Sequence, residues 1–279
     1  MPTATMKPAA QLPSVRGFKI LAALARYHYL TASQLTWLLF RPTTHTTTQM
    51  TLTALTRAGY LSMDRFGNAK TSGAKHGVWT LTARGRSYLE AHGVDVPPRI
   101  HHKIAHADAF YQHVGLTNDI LIALECAARA PDAFALERFV HDLSLRREAG
   151  RPIPDAWVEV QLDGRTGGLW VEADCSGSVK EGRWREKLAA LRECYRSGRY
   201  EAAYGTPSLM VAVVCQPGAK RRDQLLAWTE AFLRAEGMAG WAATFRFTAA
   251  DPGHISPQDF VHGQHWVRIG REATGLFAV

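Results

Sequence analysis

Apolar residues recur at the three- and four-residue spacing of packed helices in several stretches. Phe18, Leu21, Leu24 and Ala25 mark a helix over 14–26, and Leu35, Leu38 and Leu39 mark a second, opened by the capping box Thr31-Ala32-Ser33-Gln34. Arg41-Pro42 stops that helix. A third over 43–58 (TTHTTTQMTLTALTRA) carries Thr48, Leu52 and Leu55 on one side, and Gly59 closes it. Tyr60-Leu61-Ser62-Met63 and Val78-Trp79-Thr80-Leu81 then alternate as strands, and Thr82 caps a fourth helix over 83–92.

The polar positions of this first third are as informative as the apolar ones. Helix 43–58 leaves His45, Thr46, Thr47, Gln49, Thr53 and Arg57 outward, and the loop 67–77 (GNAKTSGAKHG) holds Asn68, Lys70, Lys75 and His76 among three glycines. A reading helix followed by a long basic hairpin tip is the pattern of a winged helix-turn-helix, and these ten residues are the expected DNA contacts. Eight threonines between 43 and 56 replace the arginines and lysines that would bind guanine. Base reading therefore falls to Gln49 and His45, with threonine hydroxyls on phosphates and threonine methyls against thymine.

Beyond the prolines of 94–99 the periodicity predicts a long helix over 101–130, with Phe110, Val114, Leu121 and Leu124 as its stripe. His113, Asn118 and Asp119 lie off that stripe. Strands follow at 134–145, 155–162 and 169–175, the last two joined by a turn over 163–168. Helices at 180–200 and 220–235 flank a continuous apolar strand at 208–215, and short strands at 243–247 and 266–269 finish the chain. Alternation puts Asp155, Trp157, Glu159, Trp170, Glu172 and Asp174 on one face of the 155–175 hairpin. Either Asp155 and Glu172 hold a divalent ion that activates water, or the hairpin buries its Val/Leu face and leaves its acids in water.

Charge sharpens the division. Residues 1–100 contain 12 Lys+Arg against 3 Asp+Glu, a net of +9, whereas 101–279 contain 21 against 22, a net of −1. All of the excess accompanies the helix-turn-helix pattern, as a phosphate-binding surface requires. The apolar fraction of 46% is that of a folded protein, no run reaches the length of a membrane span, and the start of the chain lacks a secretion signal, so the cytoplasm is expected. Cysteines 126, 175, 194 and 215 show no CxxC spacing and read as buried thiols, with neither zinc site nor disulfide framework. The expected organisation is a disordered leader (1–13), a winged helix-turn-helix domain (14–93), a linker (94–100) and a mixed-sheet domain (101–279).

Ala25-Arg26-Tyr27-His28-Tyr29-Leu30, Leu52-Thr53-Ala54-Leu55, Gly59-Tyr60-Leu61, Trp79-Thr80-Leu81-Thr82-Ala83-Arg84-Gly85, His113 with Asn118-Asp119, Pro154-Asp155, Glu172-Ala173-Asp174, and Lys187-Leu188 with Tyr195 together resemble the replication-relaxation family of plasmids and mobile elements. The resemblance runs over about residues 14–215. It implies a winged helix joined to a restriction-endonuclease-like domain of the PD-(D/E)xK type, within an α+β or α/β architecture. Asp155 and Glu172 match the two metal carboxylates of that nuclease pattern, but the lysine expected two residues after Glu172 is Asp174. Lys187 or Lys180 would then have to supply the ammonium, which holds the attacking water and steadies developing charge. His113 or Asp119 would extend the site.

The tentative catalytic set is therefore Asp155, Glu172, Asp174 and Lys187, with Asp155 and Glu172 as metal ligands. No cofactor is certain, and Mg²⁺ follows only if the site is active. The first expectation is a double-stranded DNA-binding protein of a plasmid or mobile element, serving replication, transfer or transcription control. Its nuclease-like domain is then used for assembly as a homodimer or with a protein partner, away from membranes. The alternatives are a metal-dependent endonuclease targeted by its winged helix, and an adaptor recruiting proteins to a replication or transposition complex.

Overall fold

The computed structural model describes residues 12–66, 76–98, 108–130, 134–145, 152–175 and 177–278. The loop residues Asn68, Lys70 and Lys75, most of the leader, the end of the linker and the first turns expected at 101–107 lie outside the described residues. The chain divides into two compact units, residues 1–98 and 99–279. It is a mixed α+β protein with one three-stranded antiparallel sheet and one five-stranded mixed sheet.

In the first unit α1 (Val15–Tyr27) starts at Ser14, whose hydroxyl accepts from the Gly17 amide at 3.2 Å. Its core face is Ile20, Leu21, Leu24, Ala25 and Tyr27, all buried. β1 (Leu30–Thr31) leads into α2 (Ala32–Leu39), and both arms of the expected capping box are formed between Thr31 and Gln34. Pro42–Thr44 makes one 3₁₀ turn, and α3 (His45–Arg57) buries Thr48, Leu52 and Leu55, the stripe that its spacing requires. Gly59 adopts φ +78, which lets the Tyr60 amide reach back to Leu55 O at 3.0 Å and turns the chain out of α3. β2 (Leu61–Phe66) and β3 (His76–Leu81) pair antiparallel, and β1 adds to the other edge of β3. The Thr82 hydroxyl donates to Gly59 O at 2.7 Å and accepts from Gly85 N at 3.2 Å, so one side chain caps α4 (Ala83–Ala91) and fastens it to the end of α3.

The second unit opens with α5 (Asp108–Ala127) and β4 (Ala135–His141). β5 (Ala156–Leu162) and β6 (Arg165–Asp174) form a hairpin whose turn is only Asp163-Gly164, at φ +50 and +73. Residues 165–168, expected in the turn, pair with 159–162 instead. α6 (Glu181–Arg196) is followed by Gly198 at φ +74, which splits the single expected helix and begins α7 (Arg199–Tyr204). β7 (Leu209–Cys215), α8 (Ala219–Ala235), β8 (Phe245–Thr248) and α9 (Pro257–His262) complete the unit. Residues 266 and 267 make isolated bridges to Thr274 and Phe247, not the expected strand.

The sheet order is β4-β5-β6-β7-β8, antiparallel from β4 to β6 and parallel from β6 to β8. One face packs Trp157, Trp170, Val211, Val213, Phe245 and Phe247 against Trp184, Leu188 and Leu191 of α6 and Leu225, Phe232 and Leu233 of α8. On the other side α5 packs on β6 and against α9. Both faces are therefore covered, and of the two readings left open for the acid-bearing face the one that stands it in water does not hold: it is the main core. Its tryptophans each remove on the order of 200 Å² from solvent, about 5 kcal/mol of transfer free energy before entropy. Cys194 and Cys215 are buried as expected, whereas Cys126 and Cys175 are only half-buried, and among the described residues no helix is long and apolar enough to cross a membrane.

Candidate functional site

Two surfaces hold the side chains singled out by the sequence, one in each unit. On α3 the exposed residues are Thr46, Thr47, Gln49, Met50, Thr53, Ala54 and Arg57, one continuous solvent face at helical spacing. His45 is half-buried, with Nε2 3.5 Å from Ser33 Oγ, and His76 stands exposed at the start of β3 with its ring beside Phe66. Thr51 and Thr53 donate their hydroxyls to Thr47 O (2.9 Å) and Gln49 O (3.0 Å). Thr48 and Thr56 make the same bonds to Thr44 O and Leu52 O, which keeps this threonine-rich helix satisfied locally. No Asp or Glu precedes Asp64 in the chain.

In the second unit the ends of β5 and β6 bring Asp155 and Glu172 to one place. Asp155 precedes β5 and accepts the Ala173 amide at Oδ2 (2.7 Å), while His113 Nε2, from α5, lies 3.1 Å from Oδ1. The Cys175 thiol lies close enough to favour the His113 cation. Glu172 accepts the Trp170 indole N–H at Oε1 (2.6 Å) and the Lys187 ammonium, from α6, at Oε2. Lys180, the other lysine considered, is an exposed residue at the start of α6; Lys187 is the one that reaches the carboxylate.

Burial and charge oppose one another at each group. For Asp155 burial would raise the pKa, but the charges of Lys187 and His113 and the Ala173 amide outweigh it and hold the carboxyl well below the usual range. For Glu172 burial is the larger influence and Asp155 adds to it, so that despite Lys187 and Trp170 the carboxyl is raised to about 7. Burial works against the His113 cation, yet Asp155 and, after it, the Cys175 thiol raise it to about 11. Lys187 is likewise lowered by burial and raised more strongly by Glu172, Asp155 and Asp142.

This set does not fit a divalent ion as it stands. All four carboxylate oxygens are engaged by His113, Ala173, Trp170 and Lys187, and two cations face two acids. Among the described residues no group of three or more His, Cys, Asp or Glu side chains is placed to hold a metal.

One expected site residue, Asp174, lies elsewhere. Asp174 takes Arg221 Nε on Oδ2 at 2.5 Å and the Gly177 amide on Oδ1 at 3.1 Å, so α8 draws it out of the cluster. Arg221 is buried and also donates to Val179 O and Gln224. Glu159 pairs with Arg138. Asn118 is fully buried within α5.

A family model described as replication-relaxation matches residues 21–209, more than half of the chain. The chain belongs to the replication-relaxation family. No curated protein and no solved structure matches it. The matched span of this replication-relaxation protein includes α3 and every member of the Asp155–Glu172 cluster, whereas Arg221 lies beyond it.

Sequence reasoning missed four participants: Met50 and Ala54 on the exposed face of α3, and Trp170 and Cys175 in the cluster. Trp170 was placed on the correct strand face, and its position two residues from Glu172 was the available signal. Nothing in the spacing joined Cys175 to His113, which comes from a helix 62 positions earlier.

Proposed function

We propose that this replication-relaxation protein binds double-stranded DNA in the replication, transfer or transcription control of a plasmid or other mobile element. α2, the short turn and α3 act as a helix-turn-helix, and the β2–β3 hairpin acts as its wing. The observation that carries this reading is the exposed, acid-free face of α3 in a unit (residues 1–98) that holds 11 Lys+Arg against 3 Asp+Glu, a net charge of +8. The mixed-sheet unit is a restriction-endonuclease-like (PD-(D/E)xK-like) domain whose closed, charge-balanced carboxylate cluster holds it together for assembly, as a homodimer or with a protein partner.

Fluorescence anisotropy of the full-length protein on duplex DNA at several salt concentrations tests this. The expected log–log slope is about −3 or steeper, as three or more phosphate contacts produce. Binding that does not change with salt, or no binding at all, overturns it.

A second reading, metal-dependent strand cleavage, is favoured by one observation: an ammonium reaches Glu172 from α6 although the strand position that normally supplies it is Asp174. Incubation of supercoiled DNA with Mg²⁺ or Mn²⁺, beside Glu172→Gln and Lys187→Met, separates the two. Cleavage lost in both variants would establish an endonuclease; intact DNA with all three proteins leaves the cluster as scaffold.

A further inference from the structure

The solvent face of α3 has a polar start and a methyl-rich middle. Met50, Thr53 and Ala54 are neighbours one turn apart, and Met50 is 68% exposed, far more than a long apolar side chain usually is. Thr53 has given its hydroxyl hydrogen to Gln49 O, so it has no proton to offer a phosphate or a base, and its methyl remains as the outward group. Gln49 and Arg57 bracket the patch.

We propose that Met50, Thr53 and Ala54 read the 5-methyl groups of thymine in the major groove, so that the protein selects its sites partly by thymine. The inference rests on the DNA-binding reading above and names what that surface recognises. The thymine methyl is the apolar group which the major groove presents, and small methyl-bearing side chains are what contact it. Gln49 beside the patch has the amide that pairs with adenine N6 and N7, so both members of an A·T pair find a partner. Duplex DNA is favoured over an apolar protein surface because the patch lies within 63 residues free of Asp and Glu and ends at Arg57.

The test selects duplexes from a random pool with the full-length protein, then remakes the best one with deoxyuridine in place of thymidine, one position at a time. At a contacted position the affinity should fall by about fourfold, the equivalent of about 0.8 kcal/mol for one buried methyl-sized group. Thr53→Val, which keeps the methyl, should retain that penalty, and Thr53→Ser, which keeps only the hydroxyl, should lose it. Because position 53 is exposed, neither change threatens the fold. Tight binding indifferent to deoxyuridine everywhere overturns the proposal and leaves DNA binding intact. Failure to enrich any duplex overturns both and gives the patch to a protein partner.

Discussion

Lys187, on α6, sets its ammonium against the carboxylate of Glu172, on β6. A cation that the nuclease pattern would place on the strand is delivered by the following helix, because the strand position two residues after Glu172 holds Asp174, which Arg221 draws toward α8. The cluster is thus neutralised from two helices, His113 on α5 and Lys187 on α6, on opposite faces of the sheet.

Removing Lys187 leaves Glu172, only 5% exposed, without its counter-ion. Breaking a buried pair costs about 3–5 kcal/mol, but the Lys187 side chain keeps 35% of its surface in solvent, so Lys187→Met is expected to cost about 2 kcal/mol. The double variant Glu172→Gln/Lys187→Met should recover more than half of that loss in urea unfolding. A double variant less stable than Lys187→Met alone would show that the two residues do not act as a pair.

The raised Glu172 pKa gives stability a pH dependence. Its folded value of about 7 lies above the ordinary 4.5, so folding favours the protonated form. That contribution is fully present below about 4.5 and is lost as pH rises through about 7. Glu172→Gln should therefore gain on the wild-type protein in unfolding midpoint between pH 4.5 and 8. A difference that stays flat over that range would mean Glu172 ionises as an ordinary surface acid.

Local signals were legible because neighbours in sequence carry them. The Thr31 capping box, the Gly59 turn, the Thr48-Leu52-Leu55 stripe and the two faces of the β5–β6 hairpin all follow from periodicity and short-range chemistry. What alternation cannot tell is which sheet face is covered, so the tryptophan and acid face was left open between site and solvent although helices bury it. The site was legible to the same degree. Asp155 and Glu172 could be paired from strand register, but Arg221 comes from 47 positions beyond Asp174, and only the fold brings it there.

Arg57 is exposed at the end of α3 and, on the DNA-binding reading, neutralises one phosphate. Arg57→Ala should weaken duplex binding equally on all sequences and reduce the log–log salt slope by about 0.9. Gln49→Ala should lower affinity for preferred sequences and leave the slope unchanged, since an uncharged base contact releases no counterion. An unaltered slope in Arg57→Ala would remove this residue from the phosphate contacts.

Gly168 gives a stability prediction independent of any ligand. It sits on β6 where the Tyr200 hydroxyl accepts from Trp157 Nε1 (3.1 Å) and donates to Ser208 O (3.0 Å), and a Cβ added there would fall 2.1 Å from that hydroxyl oxygen. Tyr200 and Trp157 are both fully buried, so neither ring can swing into solvent. Gly168→Ala should cost about 3 kcal/mol, at the upper end of overpacking, because displacing Tyr200 also breaks two buried hydrogen bonds. Tyr200→Phe alone loses those bonds but removes the nearest atom that alanine meets, leaving Trp157 Nε1 at 2.8 Å as the remaining close contact. If the clash with the hydroxyl is the cause, Gly168→Ala/Tyr200→Phe will be less destabilised than the sum of the single variants, by about 1 kcal/mol or more in thermal or urea unfolding. Strict additivity would instead locate the damage at the other atoms that the Cβ meets, Trp157 Nε1 at 2.8 Å and Ser208 O at 3.1 Å.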